Sequence, residues 1–342
     1  MLGIVFNGNR QVELQEFADP VAGPGEVVVR VMASGMCGSD LHFYRAPHGT
    51  TYEGRPMIQG HEPCGVVEQV GAGVPDHAAS VGDRVMIHHY WGCGVCAECR
   101  SGWPQLCTRM APRIPTLNEH GGHAELIKVP AIQTMPLPAE LSFRAGAAIG
   151  CGTGTAWGAL ERVGDVAGRD LLVLGQGPVG LSVTMLAVAL GARVIATDVA
   201  PRRLEQARRF GAHDVVDVAT DDAVARVSEL TRGRGPHVVI ETSGNSAAAA
   251  QGLELVATWG TMCVVGVGAD VAFNTRDTMR RQLTLMTSWT LSTVQQLRCA
   301  DFVVERGLPV ADLFTHGWPL ARAAEAYRWF DAQDAGKGVF EP

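Results

Sequence analysis

Residues 171–198 read LLVLGQGPVGLSVTMLAVALGARVIATD. The apolar run LLVL has the length and composition of a buried strand. GQGPVG interrupts it, the stretch from Val179 reads as a helix, and VIATD resumes as a second strand. The turn carries Gly175, Gly177, Pro178, Val179 and Gly180 as G-x-G-x-x-G, with the strand before it and the helix after it that a dinucleotide fingerprint requires. Its glycines let the backbone approach a pyrophosphate, which meets the helix N-terminus. Asp198 closes the next strand at about the expected 20-residue interval and would accept hydrogen bonds from ribose hydroxyls. A carboxylate there repels a 2′-phosphate, so the reading is NAD over NADP, although Arg202 and Arg203 could hold a phosphate. A glycine-rich turn without a cofactor is the alternative.

Outward from this unit, strand-like runs and helical stretches keep alternating. PRRLEQARRFGA, DVVDV, DDAVARVSELTRG, HVVIETSG, AAAAQGLELVATWG and MCVVGVG follow in order. Such alternation implies parallel βαβ units over residues 151–290, an α/β class. Residues 1–150 differ: EVVVRVMAS, CGVVEQVG and DRVMIHHY are short β segments broken by Gly and Pro, a β-rich domain with long loops. Residues 291–342 hold two further helical stretches, around Val294–Arg306 and Ala321–Gln333.

The 342 residues suit about two domains. Hydrophobic residues make up 46%, enough for real cores, and 41 glycines exceed the usual share of about 7%. A net charge of −7 offers no basic footprint for nucleic acid. No apolar run reaches the roughly 20 residues of a membrane span, and the N-terminus lacks the pattern of a signal peptide. The expected location is the cytoplasm.

Nine cysteines are an odd number for a disulfide framework, and four are crowded together. Cys93, Cys96, Cys99 and Cys107 form C-x2-C-x2-C-x7-C in GCGVCAECRSGWPQLC, a lobe of about residues 91–110. Four thiolates at this spacing suit tetrahedral Zn²⁺ with no open position, a structural site. An iron–sulfur cluster also takes four cysteines, but the spacing differs from both ferredoxin patterns. Cys37 in GMCGSDLH, His61-Glu62 in QGHEPCG and Cys151 in IGCGTGTAWG could form a second set. Cys/His/Cys leaves zinc a fourth position for water or substrate, and two thiolates with a neutral imidazole balance its charge. Cys64, Cys263 and Cys299 read as buried small hydrophobes; His120, His123 and His316 read as loop or interface residues.

CGSDLH at 37–42, GHE at 60–62, the cysteine lobe at 93–107, GCGTGTAWG at 150–158 and GQGPVG at 175–180 jointly resemble the zinc-dependent medium-chain alcohol and polyol dehydrogenases over essentially the whole chain. The resemblance implies a GroES-like catalytic domain, a Rossmann coenzyme domain with a doubly wound parallel sheet, and a C-terminal segment returning to the first. It implies Cys37, His61 and Cys151 as ligands of a catalytic zinc and Glu62 as the carboxylate that approaches the metal during ligand exchange. Asp40 would orient the zinc-bound histidine. Ser39 would take the alcohol proton and His42 pass it on through the nicotinamide ribose. Thr155 and Val179 would flank the nicotinamide, and the Val265 carbonyl would hold its carboxamide. Two zinc ions per chain, NAD, a small alcohol substrate and a homodimer or homotetramer are expected.

CGSDLHFYRAPHG resembles the polyol branch, whereas Cys151 stands where many of those enzymes have an acidic residue. His89, four residues before Cys93, sits where simple alcohol dehydrogenases often carry an apolar pocket residue. With His88 and Tyr90 it either forms a polar wall for a hydroxylated substrate or faces solvent or another subunit. The expected substrate is a secondary alcohol such as a polyol, cyclitol or sugar derivative. An L-threonine-dehydrogenase-like activity is the rival enzyme. A non-catalytic zinc-binding structural protein is the rival class; it predicts loss of Cys37, Ser39 or His61, and none is lost.

Overall fold

The structure, a computed structural model, describes residues 1–48, 56–334 and 336–342; Gly49, the last residue of CGSDLHFYRAPHG, lies outside them. The chain forms two compact units, residues 1–154 with 291–342, and residues 155–290. The seam falls after Gly154 rather than after residue 150, because Cys151 faces His61 in the first unit, Sγ to Nε2 3.6 Å.

In the second unit six parallel strands lie in the spatial order Asp214–Asp217, Arg193–Asp198, Asp170–Leu174, Val238–Glu241, Thr261–Val264 and Thr284–Thr287. Leu171 to Leu174 are buried, as a strand covered on both faces requires. The helix Pro178–Ala189 follows, apolar on all sides and buried over most of its length, with Gly177 as N-cap. The turn between them is tight. Gly175 has φ +87°, and a Cβ on Gly180 would stand 1.9 Å from the Gly175 carbonyl oxygen, so neither position admits a side chain. Strand order reverses beside Asp170–Leu174, the switch point at whose carboxyl end such sheets bind ligands. Around it Leu172, Ile195, Val216, Val239 and Met262 form one core.

The first unit is built on the ten-residue strand Glu26–Gly35, which pairs antiparallel with Glu62–Val70, Leu126–Pro130 and Lys337–Phe340. Its sheet has seven strands; Arg84–Ile87 and Thr134–Pro136 continue one side, and Phe314–Trp318 lies beyond Lys337–Phe340 on the other. The C-terminal residues thus enter the sheet of the N-terminal ones. The two helices read near the C-terminus span Thr293–Arg306 and Ala323–Asp331. The second packs Ala326, Tyr327 and Phe330 into a core with Phe6, Tyr44 and Phe340. Among the described residues no helix is long and apolar enough to cross a membrane.

Candidate metal centres and active site

Four sulfurs converge in the lobe. Cys93, Cys96, Cys99 and Cys107 place their ligand atoms within 4.8 Å of one another. Cys93 Sγ lies 3.9 Å from Cys99 Sγ, and Cys96 Sγ 4.0 Å from Cys107 Sγ. A tetrahedron with Zn–S bonds of about 2.3 Å has edges of about 3.8 Å, so the thiols stand at metal-binding separation. Backbone amides support them: Cys96 N–H donates to Cys93 Sγ and Cys99 N–H to Cys96 Sγ. Bonds of this kind pull the Cys96 thiol down to about 6, while burial pushes Cys99 up to about 12. No open position is left.

The second set also comes together. Cys37, His61, Glu62 and Cys151 have ligand atoms within 4.8 Å of one another. The 3.6 Å between Cys151 Sγ and His61 Nε2 equals the roughly 3.6 Å edge expected for S and N ligands of one tetrahedral zinc. Each ligand comes from a different place. Cys37 follows the central strand, His61 and Glu62 open the next one, and Cys151 lies between the helices Phe143–Ile149 and Gly152–Val163. Asp40 opens the short helix Asp40–Arg45; its Oδ2 accepts from the Cys37 N–H at 2.8 Å. Its Oδ1, buried and without another hydrogen-bond partner among the described residues, stands 3.1 Å from His61 Nδ1. This contact assigns the ring proton to Nδ1 and leaves the Nε2 lone pair for the metal.

Cys37 and Cys151 share a hydrogen bond that pulls Cys37 well down and pushes Cys151 well up. Burial lowers His61, but the charges of Asp40 and Cys37 outweigh it and hold the ring well above its ordinary value. Metal binding must therefore displace protons. Ser39, exposed, has Oγ 3.5 Å from His61 Nε2, and His42 lies exposed on the same short helix.

Glu62 is fully buried, with Lys337 Nζ 2.8 and 2.7 Å from its two oxygens. Gly35, between them in the sheet, makes room: a Cβ there would stand 2.1 Å from Glu62 Oε2. Lys337 was not singled out from the sequence; only its place in a C-terminal strand, invisible without the sheet order, marks it.

The structure buries the whole His88–Tyr90 segment, which removes the solvent-facing reading of those side chains. His88 Nδ1 lies 3.1 Å from Gln296 Oε1, and its ring is not part of the metal set. His89 Nδ1 faces the Gly150 carbonyl at 3.0 Å, and its ring centroid lies 5.2 Å from that of His61. A carbonyl only accepts, so Nδ1 carries the proton and Nε2 is an acceptor. Burial holds the ring well below its ordinary value, hence neutral. His123 lies in a loop, as read, and is buried with Nε2 3.9 Å from Asp40 Oδ2.

In the second unit, Asp198 ends its strand with Oδ2 accepting the Gln176 N–H of the fingerprint at 2.6 Å and Oδ1 accepting the Ala200 N–H at 2.9 Å. Arg203, on the helix Pro201–Arg209, stands 3.7 Å from Asp198. Thr155 is buried; Val179 and Val265 are half-buried, and Val265 donates its N–H to the Glu241 carbonyl.

Residues 23–139 match the family described as alcohol dehydrogenase GroES-like domain, and residues 178–304 the family described as zinc-binding dehydrogenase. The chain is 36% identical, over 99% of its length and 98% of the relative's, to the uncharacterized zinc-type alcohol dehydrogenase-like protein YphC of Escherichia coli (strain K12). It is 33% identical to the sorbitol dehydrogenase of Bacillus subtilis (strain 168), over 78% of this chain and 75% of that one. Among solved structures it is similar to alcohol dehydrogenase TADH from Thermus sp. ATN1, with a TM-score of 0.88, 31% identity and coverage of 100% and 99% of the two chains.

Proposed function

The chain belongs to the zinc-dependent medium-chain alcohol and polyol dehydrogenases, and on that premise we propose that it oxidises a secondary alcohol bearing further hydroxyls, such as a polyol, cyclitol or sugar derivative, to the ketone, with NAD as hydride acceptor. The observation that carries the substrate class is His89. A neutral, buried imidazole beside the metal histidine, with Nε2 as an acceptor, pairs with a substrate hydroxyl, and an alkyl chain would leave it unpaired.

Cys37, His61 and Cys151 would hold a zinc ion, which when bound would supply Lewis acidity toward an alcohol, and a bound nicotinamide cofactor would supply the hydride acceptor. The chain's own residues do the rest. Asp40 fixes the His61 tautomer. Ser39, its Oγ 3.5 Å from His61 Nε2, takes the alcohol proton, and the exposed His42 hands it to solvent. Glu62 waits beside the ligands, its carboxylate held by Lys337. Gly175, Gly177, Pro178 and Gly180 receive the pyrophosphate, Asp198 the adenosine ribose, and Arg203 lines its edge. Thr155, Val179 and the Val265 carbonyl receive the nicotinamide. Cys93, Cys96, Cys99 and Cys107 would hold a second zinc in the lobe. The strand Thr284–Thr287 ends its sheet, with Met279 and Trp289 exposed nearby, which supports a homodimer or homotetramer through that edge.

NADH formation across polyols, amino alcohols and alkanols tests the reading. A polyol or sugar alcohol should show the highest kcat/KM. Preference for unsubstituted primary alkanols would sink the substrate class, and preference for L-threonine would replace it with the amino-alcohol activity.

A further inference from the structure

Behind the metal histidine runs a buried chain of side chains that the reaction above does not use. Asp40 Oδ2 lies 3.4 Å from the Tyr327 hydroxyl, the hydroxyl 2.7 Å from His123 Nε2, and His123 Nδ1 2.8 Å from Ser34 Oγ. Asp40, His123 and Tyr327 are each at most 1% exposed. Tyr327 comes from the C-terminal helix, 287 residues from Asp40.

The chemistry of these groups admits one consistent direction. Burial pushes the His123 ring down to about 4, so it is neutral and carries one proton. Burial likewise keeps the Tyr327 phenol protonated. The Asp40 carboxylate only accepts, so the Tyr327 O–H donates to it. The phenol oxygen must then accept from His123 Nε2–H, and His123 Nδ1 accepts from Ser34. Every donor in the chain points toward Asp40, whose Oδ2 also takes the Cys37 N–H and whose Oδ1 faces His61. The His123 ring also lies against the backbone that leads into His61: a Cβ on Gly60 would stand 2.2 Å from its Nδ1.

We propose that His123 and Tyr327 are positioning residues of the metal centre, fixing Asp40 and through it holding His61 with Nε2 turned to the metal. The proposal rests on Cys37, His61 and Cys151 as metal ligands and is independent of the substrate. Without the Tyr327 hydroxyl, Asp40 Oδ2 loses a donor and His123 Nε2 an acceptor, both in a dry interior.

The test is zinc release from the holoenzyme to a chromogenic chelator. Tyr327→Phe keeps the ring in its aromatic core and removes one hydroxyl. It should speed release from the Cys37 centre about tenfold or more, the usual effect of losing an outer partner, and leave release from the four-cysteine lobe unchanged. The cobalt-substituted variant should show shifted visible bands. His123→Leu should act in the same direction, and His123→Gln, which still offers Tyr327 a donor, should return release toward the parent rate. Parent-like release in Tyr327→Phe and His123→Leu overturns the proposal, as does equal acceleration at both centres. A parent chain holding zinc in the lobe alone sinks the metal reading, and this proposal with it.

Discussion

Lys337 and Glu62, 275 residues apart, form a buried ion pair beside Cys37, His61 and Cys151, with Nζ 2.8 and 2.7 Å from the two carboxylate oxygens. Burial pushes the Glu62 carboxyl up, to about 7, against the pull of the ammonium. Such a pair is costly to split, because removing one partner strands the other charge in a low-dielectric interior. Lys337→Met should therefore destabilise the protein by about 3–5 kcal/mol in denaturant unfolding. Glu62→Gln with Lys337→Met, which leaves no stranded charge, should be more stable than Lys337→Met alone. Equal stability of the two would show that the pair is not coupled.

His88 is buried and its ring is held down to about 4 by desolvation. Its ordinary value when unfolded is about 6.5, so between those limits the unfolded chain binds the extra proton. Stability is thus fully present above about pH 6.5 and falls as the pH drops toward 4, by about 1.4 kcal/mol per pH unit for this ring. His88→Asn, whose amide nitrogen can replace Nδ1 as donor to Gln296, should flatten that acid limb by one proton's worth. Urea unfolding across the window measures the slope, and an unchanged slope would contradict the assignment.

What the sequence showed and what it hid divide along chain distance. The Gly175–Gly180 turn and the cysteines from 93 to 107 were readable because their chemistry is local: a strand, turn and helix in one run, and four thiols on one lobe. Cys37, His61 and Cys151 needed resemblance to unite them, since each stands on a separate element. Lys337 and Tyr327 carried no signal at all. Their partners are fixed by a C-terminal strand and helix joining an N-terminal sheet, and no periodicity encodes that pairing. His123 lies in a Gly-rich loop, as read, but its burial and its contacts with Tyr327 and Asp40 were hidden for the same reason.

The lobe should depend on its metal. Cys96 is the N-cap of the short helix Ala97–Arg100 and takes the Cys99 N–H, a role a serine hydroxyl can fill, so Cys96→Ser removes the thiolate ligand and spares the cap. Cys96→Ser should lower bound zinc from two to about one per chain. It should also open residues 91–110 to limited proteolysis, because a lobe so small has little apolar surface to hold it without the ion. Metal analysis showing two zincs in the variant would contradict the four-cysteine site.

In the proposed cofactor site, Asp198 would both brace the turn and exclude a 2′-phosphate. Its oxygens accept the Gln176 and Ala200 amides, and Arg203 is close enough to be partly neutralised by it. Asp198→Ala removes the charge that repels a 2′-phosphate and frees Arg203 to bind one. The ratio of kcat/KM for NAD over NADP should fall by about tenfold or more, equivalent to about 1.4 kcal/mol. Should Asp198→Ala weaken both cofactors alike, the carboxylate would be a brace for the turn alone.

The proposed substrate class turns on His89. With Nδ1 committed to Gly150, its Nε2 can only accept, and the ring, held neutral by burial, does not compete as a charge. His89→Phe keeps the ring's bulk and removes both nitrogens, leaving the Gly150 carbonyl without that donor. A substrate hydroxyl that had paired with Nε2 then enters the site unpaired, at a cost of about 1–3 kcal/mol. The kcat/KM for a polyol should drop roughly ten- to a hundredfold, while that for an unsubstituted secondary alcohol such as a simple alkan-2-ol should hold or rise. The two activities are compared in one preparation, so a general loss from the Gly150 contact lowers both and cancels in their ratio. An unchanged ratio would mean that His89 serves only to anchor Gly150 and the Cys151 that follows it.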